Sequence, residues 1–104
     1  MSQAIVVFCT CVDEKEALSI ASALVDGRLA ACVNILPAVR SVYRWNGQIE
    51  SAEEVLLLIK TIQERFAALR DRIAQLHSYD TPEIIAVSII DGSEKYLSWL
   101  QEQV

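Results

Sequence analysis

The sequence SVYRWNGQIE, at residues 41–50, contains Asn46-Gly47, the dipeptide most typical of a two-residue type I′ turn between antiparallel strands. β-branched and aromatic residues lead into this turn from residue 31 to 45, and a second apolar run leaves it from residue 48 to 60. The pattern predicts a long β-hairpin. Because Pro37 has no amide hydrogen for a central strand, we expect the first arm to be an edge strand or to carry a bulge at that point.

On the N-terminal side of the hairpin, the sequence predicts one strand and one helix. The apolar run at residues 4–12 is typical of a strand that is buried on both faces. Asp13, with Glu16 three residues later, resembles a capping box and predicts a helix over residues 14–26. Gly27 follows at the position where a left-handed residue often ends a helix.

On the C-terminal side, a helix, a strand and a short last helix are expected. The second helix is predicted by an apolar stripe at helical spacing, formed by Ile62, Phe66, Leu69, Ile73 and Leu76. Pro82 then precedes an apolar, β-branched run at residues 83–90, which predicts the fourth strand. Ser93 is a suitable N-cap for the last helix.

This order of elements, βαββαβ with a terminal helix, predicts an α+β ferredoxin-like sandwich that forms a single domain over residues 1–104. Both helices should cover one face of a four-stranded antiparallel sheet with the spatial order 4-1-3-2. The strands are nevertheless apolar at odd and even positions alike, as Val6 and Phe8 illustrate. A second subunit is therefore expected on the other face. The hairpin tip should overhang the sheet and place Tyr43, Arg44 and Trp45 in that interface.

Composition and charge limit the functional classes. The chain has 104 residues, of which 53% are hydrophobic, and a net charge of -5. That charge disfavours nucleic-acid binding. No apolar run is long enough to cross a bilayer and no signal peptide opens the chain, so we expect a cytoplasmic protein without a membrane partner. The three cysteines are an odd number without a CxxC pair, which favours reduced thiols.

Few residues are candidates for chemistry, and the familiar protease, hydrolase, P-loop and dinucleotide motifs are missing, so we expect no enzyme activity. His77, the only histidine, either caps the second helix or binds a metal ion with Cys9, Asp80 or Glu83. Cys9 and Cys11 should point the same way along their strand, but buried thiols also serve as small apolar side chains. A second candidate site is a cleft between subunits, lined by Trp45, Lys60, Tyr79 and Glu83.

Four motifs occur in a characteristic order: AACVN at 30–34, SVYRWNGQIE at 41–50, IKT at 59–61 and HSYDTPE at 77–83. In this combination the chain resembles the CutA divalent-cation tolerance family, from about residue 4 to residue 100. The resemblance implies a ferredoxin-like homotrimer, similar in architecture to the PII proteins, whose subunits meet through sheet edges and long hairpins. It also implies copper or another divalent metal ion near Cys9 and His77. Some members have a His-His-Pro run where this chain has Leu76-His77-Ser78, so one potential ligand is absent.

Two functional hypotheses follow. The first is a cytosolic trimeric protein that binds copper or another divalent metal ion at Cys9 and His77 without catalysis. The second is a PII-like sensor that binds a small molecule in the cleft between subunits. An acylphosphatase-like enzyme and an RNA-binding sandwich share the topology, but the first strand is followed by CVDE, without a phosphate-binding arginine, and the central VLLLI run lacks exposed aromatics with basic neighbours.

Overall fold

Four strands form one antiparallel sheet in the computed structural model, which describes residues 1–104. The strands are β1 (Ala4–Cys11), β2 (Cys32–Trp45), β3 (Gln48–Ile62) and β4 (Ile84–Ser88). Their spatial order is β2-β3-β1-β4, which confirms the predicted arrangement. Three helices, α1 (Glu14–Asp26), α2 (Phe66–Leu76) and α3 (Glu94–Gln103), complete the ferredoxin-like α+β fold. None of them has the length and apolar character that a membrane-spanning helix requires.

The hairpin has the turn and the irregularity that the sequence predicts. Asn46 and Gly47 have φ angles of 49° and 75°, the left-handed values of a type I′ turn. β2 is an edge strand, and its pairing with β3 shifts between Leu36 and Val39, on either side of Pro37. The last pair between β1 and β3 is Cys11 with Val55. Beyond that pair, β2 and β3 continue as a two-stranded ribbon, so the hairpin overhangs the sheet as expected.

Helix α1 begins as predicted but ends differently. The Asp13 side chain accepts a hydrogen bond of 2.8 Å from the backbone amide of Glu16, which confirms the N-cap. Gly27, however, has a φ of -81°, and the left-handed residue is Arg28, with a φ of 56°. The Gly27 amide still donates to the Ala23 carbonyl at 3.0 Å, so the helical hydrogen bonding continues for one residue more before the chain reverses.

The ends of three strands also differ from the predicted ones. β3 extends to Ile62, which pairs with Ala4, and one 3₁₀ turn at Gln63–Arg65 then precedes α2. Strand pairing therefore determines the conformation of Ile62, which the apolar stripe assigned to the second helix. β1 ends at Cys11, and β4 is shorter than predicted because it pairs only with β1, from Ile84 opposite Cys9 to Ser88 opposite Ile5.

The main core lies between the sheet and helices α1 and α2. The odd-numbered residues of β1 enter it together with Ile20 and Leu24 of α1 and Leu69 and Ile73 of α2. Helix α3 packs on the opposite face, where Leu100 meets Ala4 and Ile62. The rest of that face lacks a cover within the chain. It includes the polar residues Thr10, Asn34 and Lys60. Its apolar residues, hereafter the open face, are Val6, Phe8, Leu56, Leu58, Ile85 and Val87.

Candidate metal site

Cys9, Cys11 and His77 bring their ligand atoms to within 4.8 Å of one another, and all three side chains are buried. The two cysteines are two positions apart on β1, so both thiols point to the helix-covered side of the sheet. His77 is the residue that ends α2, and its backbone amide donates to the Ile73 carbonyl at 2.8 Å. The structure thus places the two predicted ligands together and adds Cys11 as a third donor.

The ring of His77 is held by two hydrogen bonds to the backbone. The Tyr79 amide, which can only donate, lies 3.0 Å from Nδ1, so Nδ1 is the acceptor. Nε2 lies 2.7 Å from the carbonyl oxygen of Thr10, which can only accept, so Nε2 carries the proton. These contacts define a neutral imidazole protonated on Nε2, the nitrogen that faces the strand between the two cysteines.

Glu16, on the first turn of α1, is the nearest acidic neighbour of this ring. Its Oε2 accepts a hydrogen bond of 2.6 Å from the Ser78 hydroxyl. Its Oε1 lies 3.2 Å from Nδ1 of His77 but is buried and has no hydrogen-bond partner. The contact is not an ion pair while the ring is neutral, because the Nδ1 lone pair already accepts the Tyr79 amide.

The surroundings of Cys9 keep its thiol protonated. The hydrogen-bonded neighbour Cys11 contributes most to raising the pKa of Cys9 far above its usual value, and burial acts in the same direction. The negative charges of Glu83 and Glu16 raise the pKa further. A buried, protonated thiol is a poor nucleophile, which argues against a catalytic role for Cys9.

The donor set fits a soft or borderline metal ion. Thiolate sulfur and imidazole nitrogen are the ligands that copper and zinc prefer, whereas calcium and magnesium require oxygen. Two sulfur atoms on one zinc ion lie about 3.8 Å apart, given Zn–S bonds of about 2.3 Å in a tetrahedron. The donors, which lie within 4.8 Å of one another, would therefore need to approach by at most about 1 Å.

The remaining predicted ligands and the predicted cleft are arranged differently. Asp80 and Glu83 are exposed. The Tyr79 hydroxyl donates to the buried Glu54 at 2.7 Å, and its own burial, followed by this bond, raises the pKa of Tyr79. Lys60 lies six residues from Glu54 on β3, about 20 Å away, and Trp45 is at the hairpin tip. Within one chain these side chains form no cleft, so a cleft between subunits stays a prediction.

Comparison with known proteins assigns the chain to a family. Residues 5–103 match the model of the CutA1 divalent ion tolerance protein family. The chain belongs to this family. It is similar to the divalent-cation tolerance protein CutA of Thermus thermophilus, with 48% identity over 97 residues that cover 93% of this chain and 94% of that protein. It is also similar to human Protein CutA, with 44% identity over 91% of this chain, which spans only about half of the human protein (53%).

Solved CutA structures share the fold over nearly the whole chain. The divalent cation tolerance protein of Thermus thermophilus superposes with a TM-score of 0.95 at 46% identity, covering 97% of this chain and 98% of that one. CutA1 from Oryza sativa superposes with a TM-score of 0.97 at 39% identity, covering 99% and 94%. Both confirm the α+β arrangement and the resemblance derived from the four motifs.

Proposed function

We propose that this CutA chain binds copper or another thiophilic metal ion, such as zinc, through Cys9, Cys11 and His77. The observation that carries the proposal is the convergence of two thiols and one imidazole within 4.8 Å in a buried site. A bound ion would supply positive charge in place of the thiol protons. We propose no catalysis at this site. Cys9 and Cys11 would lose their protons on binding, and His77 would release the Thr10 carbonyl to free Nε2.

The same proposal includes a homotrimer in the cytoplasm. The open face argues for association, because Ile85 and Val87 are 53% and 48% exposed in the isolated chain although both are apolar. The hairpin overhang points the same way: Tyr43, Arg44 and Trp45 are exposed on a ribbon with no third strand beside it. A two-stranded ribbon is barely stable in water, and large aromatic and arginine side chains are typical interface anchors.

Native mass spectrometry of the reduced protein tests both parts, because one spectrum counts subunits and bound ions. Titration with Cu⁺ and with Zn²⁺ should give a trimer that takes up metal in multiples of three. C9A, C11A and H77A should each lose the bound metal and keep the trimer. The matched control is C32A, because Cys32 belongs to β2 and lies outside the cluster. Metal uptake that survives in H77A and C9A would contradict the assigned site.

A second candidate function is the binding of a small molecule between subunits. The observation that favours it is the buried Glu54 bonded to Tyr79 at the base of the hairpin overhang, where a neighbouring subunit could complete a polar cleft. Incubating the trimer with a pool of cell metabolites before native mass spectrometry tests this. A retained metabolite that Y79F no longer holds would favour the sensor over the metal-binding protein.

A further inference from the structure

The two carboxylate oxygens of Glu16 differ in their hydrogen bonding. Its Oε2 is satisfied by Ser78, but the buried Oε1 receives no hydrogen bond and lies 3.2 Å from Nδ1 of His77. A buried carboxylate oxygen without a donor costs free energy, so such an atom calls for an explanation. The imidazole ring, whose Nδ1 lies 3.2 Å away, is positioned to donate a hydrogen bond to it.

The His77 ring can donate a hydrogen bond to Oε1 of Glu16 only in its other tautomer, with the proton on Nδ1. His77 uses Nε2–H to bind the Thr10 carbonyl, and in this form Nδ1 has no proton to offer. A His77 that offers the Nε2 lone pair as a ligand must carry its ring proton on Nδ1, directly opposite Oε1 of Glu16. A carboxylate that accepts a hydrogen bond from this Nδ1–H fixes the tautomer and makes the imidazole a stronger ligand.

We infer that Glu16 is a positioning residue of the metal site, whose carboxylate accepts a hydrogen bond from Nδ1–H of His77 when Nε2 is the ligand. The inference rests on the proposed function, because it assigns a role to Glu16 only if His77 binds metal. Glu16 contacts the His77 ring, so its positioning role acts through His77, in addition to the effect of its charge on the pKa of Cys9. The capping pattern in the sequence did not indicate this role, because it assigned the Glu16 side chain to the start of its own helix.

The tautomer change has a cost that can be observed. The Tyr79 amide now donates to Nδ1 at 3.0 Å, and it loses this acceptor once Nδ1 carries a proton. The Tyr79 amide must then turn to another acceptor or to water. Metal binding should therefore change the environment of the Tyr79 amide together with that of the His77 ring.

The experiment compares the parent protein with E16A, E16Q and E14A. Glu14 is the control, because it lies on the same first turn of α1 and is exposed. Zn²⁺ affinity is measured by competition with a chromophoric chelator. E16A should bind Zn²⁺ roughly 10- to 100-fold more weakly, the usual loss when an orienting partner is removed. E16Q should lose less, since its amide oxygen can still accept a hydrogen bond from Nδ1–H, and E14A should bind like the parent.

A second readout reports the tautomer directly. His77 is the only histidine, so ¹H–¹⁵N correlations of its ring can be assigned without ambiguity. The metal-free ring should carry its proton on Nε2, and the zinc-loaded ring should carry it on Nδ1, with a shifted Tyr79 amide signal. If zinc binds but E16A matches E14A, or the loaded ring keeps its proton on Nε2, the role of Glu16 is refuted while the metal site stands. A parent protein that binds no zinc would refute the role of Glu16, and one that binds neither Zn²⁺ nor Cu⁺ would overturn the metal site as well.

Discussion

At the scale of single residues, the raised pKa of Cys9 predicts how the free energy of unfolding depends on pH. Below about pH 8.5, the usual pKa of a thiol, Cys9 is protonated in both the folded and the unfolded chain. Above that pH the unfolded chain loses this proton, whereas the folded chain keeps it because its surroundings raise the pKa of Cys9. The free energy of unfolding should therefore fall as pH rises above about 8.5, with a slope of up to about 1.4 kcal/mol per pH unit.

Urea denaturation of the metal-free, reduced protein between pH 7.5 and 9.5, at one protein concentration, measures this slope. C9A should show a shallower decline, because it removes the buried thiol. C32A should keep the decline of the parent, since Cys32 lies outside the buried cluster and is only partly covered. Equal slopes in C9A and the parent would contradict the assignment to Cys9.

Sequence patterns identify only part of the candidate site. The strand period places Cys9 and Cys11 on one side, but the family resemblance is what indicated Cys9 and His77 as ligands, and Cys11 was not predicted as one. The sequence did not indicate Glu16 as part of the site, because its contacts with His77 and Ser78 join residues about 60 positions apart. Local patterns carry no information about such a contact. It exists only because the loop after α2 passes over the first turn of α1.

Among the helices, α1 offers a test of the cap that starts it. Asp13 accepts the Glu16 amide and also lies at the positive end of the helix dipole. D13A should therefore lower the free energy of unfolding by about 1 kcal/mol. The control is D26A at the other end of α1, where a carboxylate meets the negative end of the dipole and its removal should be neutral or stabilising. Thermal or urea denaturation measures both variants, and equal losses in the two would contradict the capping role.

Element types and strand order follow from the sequence more securely than element ends. Asn46-Gly47 specifies its turn by backbone conformation alone, and Pro37 signals the edge strand and bulge by the amide it lacks. Ile62 shows why an end is harder to predict. An apolar side chain satisfies both the helix stripe and the strand pairing, and its pairing with Ala4 and packing near Leu100 decide between them. That partner lies 58 residues away in sequence.

For the whole molecule, the open face connects the fold with the proposed assembly. The topology places both core helices on one side of the sheet, and α3 covers only the end of the other side near Ala4 and Ile62. Val6 and Phe8 of β1 are therefore not needed for the core of a single chain. Their composition is explained if copies of the chain bury one another's open faces, with the hairpin overhang reaching across.

Phe8 lies at the centre of the open face, with Leu58 of β3 on one side and Ile85 of β4 on the other. F8D should give a monomer or insoluble protein, because a carboxylate buried in an apolar interface without a partner costs several kcal/mol. Size-exclusion chromatography with light scattering measures the mass. The matched control is L18D on α1, where the side chain is 60% exposed and lies on the layer away from the open face. L18D should remain a trimer. A soluble, folded F8D trimer would show that the subunits meet elsewhere, and the apolar open face would then need another partner.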